Sequence, residues 1–152
     1  LPWPCSNADY EARMETALAA LKARGITHMV FGDLFLEDVR AYREAQLADT
    51  GITPVFPLWG RDTAALAREM IEAGFEARIA TLDPSKVPAE LAGRRFDAAF
   101  LDALPEGVDP CGERGEFHTA VTAGPIFSAP IEVEVGEVVT RDGFVYADLA
   151  PL

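Results

Sequence analysis

The chain has 152 residues, 49% hydrophobic and 25% charged, a composition that supports one core or two small subdomains. Its 25 acidic against 13 basic residues leave a net charge of −12, which argues against a free-standing nucleic-acid binder, because phosphate contact needs a basic patch. Cys5 and Cys111 are too few and too widely spaced for a disulfide scaffold or a zinc knuckle, no apolar run approaches the ~20 residues of a membrane helix, no signal peptide is visible, and the acidic balance points to a cytoplasmic protein.

The chain opens Leu1-Pro2-Trp3-Pro4 without an initiator Met and reads as the C-terminal part of a longer protein. Residues 6–24 predict an amphipathic helix, with Ser6 as its cap, Asp9 in capping-box position, and Gly25 as its stop. Its inward stripe is Tyr10, Met14, Ala17, Leu18 and Leu21. Ile26 to Phe31 predicts a short buried strand, with Gly32-Asp33 at its carboxyl edge. Residues 36–49 predict a second helix ended by Gly51. Its inward stripe of Leu36, Val39, Tyr42 and Leu47 also takes in Arg43 and Gln46, with Arg40 at the edge. An inward guanidinium needs a partner, and Asp33, Glu37 or a bound phosphate are the options. Arg40 alternatively pairs with Glu44 on the surface at i,i+4. Thr53 to Leu58 predicts a second strand whose pairing Pro57 confines or ends.

Residues 62–73 predict a third helix, with Leu66, Ala67, Met70 and Ile71 inward and Gly74 as its stop. Helices closed by glycine before strands suggest α/β layering with parallel strands. The rhythm then changes. Phe75 to Leu82 reads as a strand, residues 83–95 as a proline-rich stretch with one short helix, and Asp97 to Leu104 as helix or strand. Residues 131–149 read as a hairpin turning at Asp142-Gly143, with Gly136 as a bulge. A boundary near Trp59-Gly60 divides the chain into residues 1–59 and 60–152. The fold class expected is α/β: part of a parallel-sheet layer, followed by a mixed α+β subdomain ending in a β-hairpin.

The densest chemistry lies in Asp109-Pro110-Cys111-Gly112-Glu113-Arg114-Gly115-Glu116-Phe117-His118-Thr119. If Glu116 begins a strand, Glu116 and His118 share a face about 6–7 Å apart, a spacing that suits two groups gripping one polar substrate. Histidine is also the side chain suited to moving protons near neutral pH. Glu113 lies in the glycine-flanked turn and reaches the same face. The same stretch also reads as a charged loop entering an edge strand. Cys111, Glu113, Glu116 and His118 do not match the paired spacings of structural zinc, so no metal is expected. Asp33 is placed to meet a ligand at the carboxyl end of a parallel strand or to cap the next helix. Trp59 stacks on a base or fills the junction between the two parts.

Three stretches carry a resemblance: Phe31-Gly32-Asp33 through Arg43-Glu44, Pro54-Val55-Phe56-Pro57-Leu58-Trp59, and Cys111 through Thr119. Together they resemble the diphthine–ammonia ligase family, specifically its bacterial branch of ATP-binding proteins within the PP-loop adenine-nucleotide superfamily. The resemblance implies a Rossmann-like nucleotide-binding layer followed by a substrate-side subdomain. It also implies ATP-dependent amide formation, in which a carboxylate is adenylated and ammonia displaces AMP. Against the family signature Glu-Gly-Gly-Glu-Phe-Glu-Thr, residues Glu113, Gly115, Glu116, Phe117 and Thr119 match. Arg114 replaces a glycine and His118 replaces the last glutamate. A histidine there is what the bacterial branch implies, and the substrate is then expected not to be diphthine.

By resemblance, Glu113, Glu116 and His118 are the catalytic residues, and Cys111, Gly112, Gly115 and Thr119 bind substrate. Gly32, Asp33, Arg40 and Arg43 contact the nucleotide. ATP, with Mg²⁺, is the implied cofactor. A small-molecule or modified-residue carboxylate and ammonia are the partners, and a homodimer is compatible with the resemblance. The family's phosphate-binding loop, of the type Ser-Gly-Gly-Lys-Asp-Ser, has no counterpart in these residues. Either the chain is a fragment that begins after the loop or the protein has lost it; the missing initiator Met favours a fragment, which is expected to be inactive alone. A non-catalytic module that binds a nucleotide or small acid, and an interaction domain whose charged loop docks a partner protein, are the other readings.

Overall fold

A computed structural model describes residues 5–152; the opening Leu1–Pro4 lies outside the described residues. The architecture is mixed α/β, with a small parallel sheet and an antiparallel sheet. The chain forms two compact units, one ending at Trp59 and one beginning at Gly60. Among the described residues no helix is long and apolar enough to cross a membrane.

The first unit contains α1 (Asn7–Ala23), β1 (His28–Val30), α2 (Glu37–Leu47) and β2 (Thr53–Val55). Ser6 caps α1, its Oγ accepting from Asp9 N–H, and Gly25 takes the left-handed conformation (φ 80°) that lets the chain leave the helix. β1 and β2 are parallel, with His28 opposite Thr53 and Val30 opposite Val55. A small core of Leu18, Leu47 and Ile52, joined by Leu21, Met29 and Phe31, ties the helices to one face of this sheet.

β1 is not a buried strand. Met29 points into the core, but His28 and Val30 alternate outward and Val30 is 66% exposed. Burial on both faces requires a second layer, and in this unit the core covers only one face. The stripes predicted for the helices are narrower for the same reason. Ala17 of α1 and Tyr42 of α2 are exposed, while Tyr10, Met14, Leu21 and Val39 are half-buried.

The second unit runs α3 (Thr63–Glu72), β3 (Glu76–Leu82), a 3₁₀ turn (Ala89–Leu91), α4 (Ala98–Ala103), β4 (Phe117–Ala123), β5 (Val133–Arg141) and β6 (Phe144–Pro151). Asp62 and Asp97 cap α3 and α4, accepting from Ala65 and Phe100 N–H. The four strands form an antiparallel sheet in the order β4-β3-β6-β5. Asp142 and Gly143 (φ 51° and 83°) form the primed turn of the β5–β6 hairpin, and the register slips between Val135 and Val138, around Gly136. A further slip between Ile79 and Thr81 changes the inward phase of β3, so that Ala77, Ile79 and Leu82 are all buried.

The core of this unit is Ile79, Leu82, Val87, Leu91, Phe100, Phe117 and Val145. Phe100 and Phe117 meet edge to face with centroids 5.1 Å apart, and Phe96 tilts against both. Full burial of one such ring is worth about 1.5–3 kcal/mol. Phe117 is therefore the anchor that ties the preceding loop to the core.

Candidate functional site

The loop from Asp109 to Glu116 is built around two buried carboxylates. Asp109 is 6% exposed and Glu116 3%. Glu116 Oε1 accepts from the Asp109 N–H at 3.2 Å, and Oε2 accepts from the Arg114 N–H at 2.8 Å. Asp109 Oδ2 accepts from the Glu113 N–H at 2.8 Å. Two backbone turns complete the frame: Gly112 N–H donates to the Asp109 carbonyl and Gly115 N–H to the Gly112 carbonyl. A buried carboxylate persists only when its charge is bonded. Here the bonds run to the loop's own amides, so the two acids set the loop's shape.

Gly112 is required by its position. Its φ is +70°, and an added Cβ would lie 2.7 Å from the Phe117 carbonyl oxygen. Gly115 also lies in the left-handed region, at φ +72°.

The anchored loop opens a polar groove of about 330 Å³, lined by Cys111, Gly112, Glu113, Gly115, Phe117, His118 and Thr119. Glu113 and His118 thus share one groove with the predicted substrate-binding residues Cys111, Gly112, Gly115 and Thr119. Glu116 does not line it. β4 begins at Phe117, so Glu116 lies just before the strand and inside the protein. His118, opposite Thr81 in the register, is exposed. Glu116 and His118 therefore do not form a surface pair. Asp109, whose carboxylate accepts from the Glu113 N–H, is a structural partner of Glu113. The Asp109-to-Glu116 spacing was the available signal, two acids bracketing a pair of glycine turns.

Cys111 Sγ–H donates to the Thr63 carbonyl at 3.3 Å. Burial, reinforced by the charges of Asp109, Glu113 and Asp62, pushes its pKa up to about 11. The thiol stays protonated at neutral pH and is a neutral wall of the groove rather than a nucleophile. Among the described residues no group of three or more His, Cys, Asp or Glu side chains is arranged to hold a metal ion.

In the first unit, Gly32 and Asp33 follow β1 at the carboxyl edge of the parallel sheet, where open α/β folds place ligands. Arg43 Nε donates to Asp33 Oδ2 at 3.2 Å, and its guanidinium lies 4.8 Å over the Phe31 ring. Arg40 Nε donates to Glu44 Oε1 at 2.8 Å, with its guanidinium 4.9 Å from the Phe56 ring and 4.8 Å from that of Trp59. Phe31 stacks on Phe56 at 5.4 Å, and Trp59 meets Phe56 edge-on at 6.1 Å. Asp33 therefore partners Arg43 and does not cap α2, whose N-cap Leu36 makes no side-chain bond. The aromatic platform was not identified from the sequence. Its signal was the repeat of a phenylalanine just beyond each parallel strand.

The N-termini of α1, α3 and α4 are already capped by Ser6, Asp62 and Asp97, and the first turn of α2 carries Glu37 and Asp38. The acidic side chains at these helix starts, Asp9, Glu37, Asp38, Asp62 and Asp97, oppose the anion that a helix N-terminus otherwise attracts.

Fold and loop together define a mixed α/β protein whose second unit presents an acid-anchored glycine loop beside a polar groove. Residues 62–148 match the family model described as the diphthamide synthase C-terminal domain. The chain is 32% identical over 153 aligned positions to the diphthine–ammonia ligase of Rattus norvegicus, covering 97% of this chain and 57% of the rat protein. It is 31% identical over 106 positions to that of Homo sapiens (66% of this chain, 40% of the human protein). It is 35% identical over 104 positions to that of Danio rerio (63% and 40%). The chain belongs to the diphthine–ammonia ligase family. It spans about half the length of the curated relatives it matches.

Proposed function

We propose that this chain is the substrate-side portion of an ATP-dependent amide ligase of the diphthine–ammonia ligase type. One observation carries the reading: Glu113 and His118 flank a single groove, on the signature loop that the buried Asp109 and Glu116 hold in place. In this reading a carboxylate reacts with ATP to give an acyl-adenylate and pyrophosphate. Ammonia then attacks the acyl carbon, AMP leaves, and one proton is released.

Glu113 and His118 hold ammonia or the acyl group, and His118 takes the proton as the C–N bond forms. Gly112 and Gly115 line the groove as bare backbone; an added Cβ on Gly115 would meet open space, so a ligand can approach closely there. The Thr119 hydroxyl and the protonated Cys111 thiol complete the wall. Glu116 is a positioning residue. It acts through the Asp109 and Arg114 amides, not on the substrate.

On the first unit we assign Gly32, Asp33, Arg40 and Arg43 to the nucleotide side, as part of a Rossmann-like layer of PP-loop type. The support is their place at the carboxyl end of the parallel strands and the two guanidiniums lying on aromatic rings. ATP with Mg²⁺ comes to this reading from the family alone. The substrate is a carboxylate other than diphthine, because His118 stands where the signature has glutamate. That exchange replaces a fixed negative charge with a group that donates, accepts or carries a proton.

The test uses the protein in the length its gene encodes, with ATP, an ammonium salt and a panel of carboxylates. AMP and amide forming together only when ammonia is present, with an equal amount of pyrophosphate over repeated turnovers, supports the reading. Nucleotide binding by calorimetry with no turnover on any carboxylate contradicts it and favours a binding module.

A further inference from the structure

We propose that a second, apolar cavity backing onto the signature groove binds an uncharged aryl or branched alkyl group. The cavity, about 200 Å³, lies among Met70 of α3, Phe75, Ala77 of β3 and Phe96, with Phe117 and Val121 of β4. Thr119 and Cys111 are its polar lining. Phe117, Thr119 and Val121 are alternate residues of one strand and so present one face.

Size and chemistry select the occupant. An engineered apolar cavity of about 150 Å³ accepts benzene, so about 200 Å³ suits a group somewhat larger, on the scale of an indole ring. An ion would lose its hydration with no partner in return. Cys111 is the only titratable side chain in the lining, and its raised pKa keeps it neutral.

Two details point to a built wall. An added Cβ on Gly124 would lie 2.5 Å from Phe75 Cδ1, so the bare backbone there is what lets the Phe75 ring take its place. Val121, a large apolar residue of the lining, is 44% exposed. Cys111, Phe117 and Thr119 line both this cavity and the polar groove. One ligand can therefore place its apolar group in the cavity while its polar end meets Glu113 and His118. That extension rests on the ligase reading, and it makes the substrate class a carboxylate bearing an apolar group. The cavity's own binding does not rest on it.

The probe is indole, titrated into the ¹⁵N-labelled protein and followed by amide chemical shifts. Saturable shifts centred on Ala77, Thr119 and Val121 are expected. Val121→Trp, which fills the cavity from a partly exposed position, should weaken binding at least tenfold. Val121→Lys is the second variant, should the tryptophan disturb the fold, and should weaken binding similarly. His118→Ala should change indole affinity less than twofold. The proposal is overturned if no saturable shift occurs up to the solubility of indole, if both Val121 variants bind as the parent does, or if His118→Ala abolishes binding. No turnover enters this titration, so a protein without ligase activity that still binds indole would separate the two readings.

Discussion

Replacing Glu116 tests whether the signature loop is held from within. The side chain is 3% exposed, and both its oxygens accept from buried-loop amides. Glu116→Ala removes the carboxylate that accepts from the Asp109 and Arg114 N–H groups. A hydrogen bond to a charged group contributes about 1.5–3 kcal/mol, so losing two, one of them long at 3.2 Å, should cost roughly 3–5 kcal/mol. Glu116→Gln is the sharper perturbation because it conserves size. Its single carbonyl oxygen should take the shorter bond, from Arg114 at 2.8 Å, which turns its NH₂ toward the Asp109 N–H. Two donors then face each other, at a cost of about 1–3 kcal/mol. With a urea slope of about 1–2 kcal/mol/M, the glutamine variant should unfold about 0.5–3 M earlier and the alanine variant earlier still. The assay is equilibrium urea unfolding, with the amide shifts of Asp109 and Arg114 as the local readout. A Glu116→Gln midpoint equal to the parent's, with both amide shifts unmoved, would refute the anchoring role.

Three further outcomes are expected. Gly112→Ala must place a methyl group 2.7 Å from the Phe117 carbonyl oxygen in a left-handed conformation, itself worth about 1–2 kcal/mol of strain, so its midpoint should fall by at least as much as that of Glu116→Gln. Cys111, an acid whose pKa is raised to about 11, should remain a thiol at pH 8. Its alkylation by iodoacetamide, followed on its peptide by mass spectrometry, should run on the order of a hundredfold slower than for an ordinary thiol and rise about tenfold per pH unit up to pH 11; a rate that levels off by pH 9 would contradict this. Arg43→Ala removes both the Asp33 ion pair and the ring contact with Phe31 and should destabilise the first unit by roughly 1–2 kcal/mol, whereas Arg40→Ala, at a more exposed site, should cost less than about 1 kcal/mol while shifting Trp59 fluorescence.

Local chemistry was readable from the sequence wherever it decides local structure. Ser6 as a cap, the glycine stops at Gly25 and Gly74, the Asp142-Gly143 turn and the Gly136 bulge depend on backbone geometry a few residues wide. Burial was less readable, because it depends on neighbours. Tyr42 and Ala17 lie on apolar stripes yet are exposed among the described residues, as is Val30 on its two-stranded sheet. The candidate site divides in the same way. Its position in the chain and the residues of its groove follow from the motif. The inward turn of Glu116 does not, because ionised side chains are rarely buried and only the turns at Gly112 and Gly115 bring its amide partners within reach. Strand β4 was legible as a strand entered near Glu116, but it begins one residue later, at Phe117, which leaves Glu116 in the loop.

The central claim is that the groove at Glu113 and His118 is where the substrate is held. The direct measurement is ammonia-dependent pyrophosphate release by Glu113→Ala and His118→Ala in the protein its gene encodes, with thermal unfolding as the control. Loss of a positioned acid–base group typically costs about 10²–10⁴-fold, so each variant should lower kcat/KM by at least about a hundredfold. Because His118 is exposed, its variant should melt with the parent. Turnover unchanged in both variants, with the fold intact, would contradict the account.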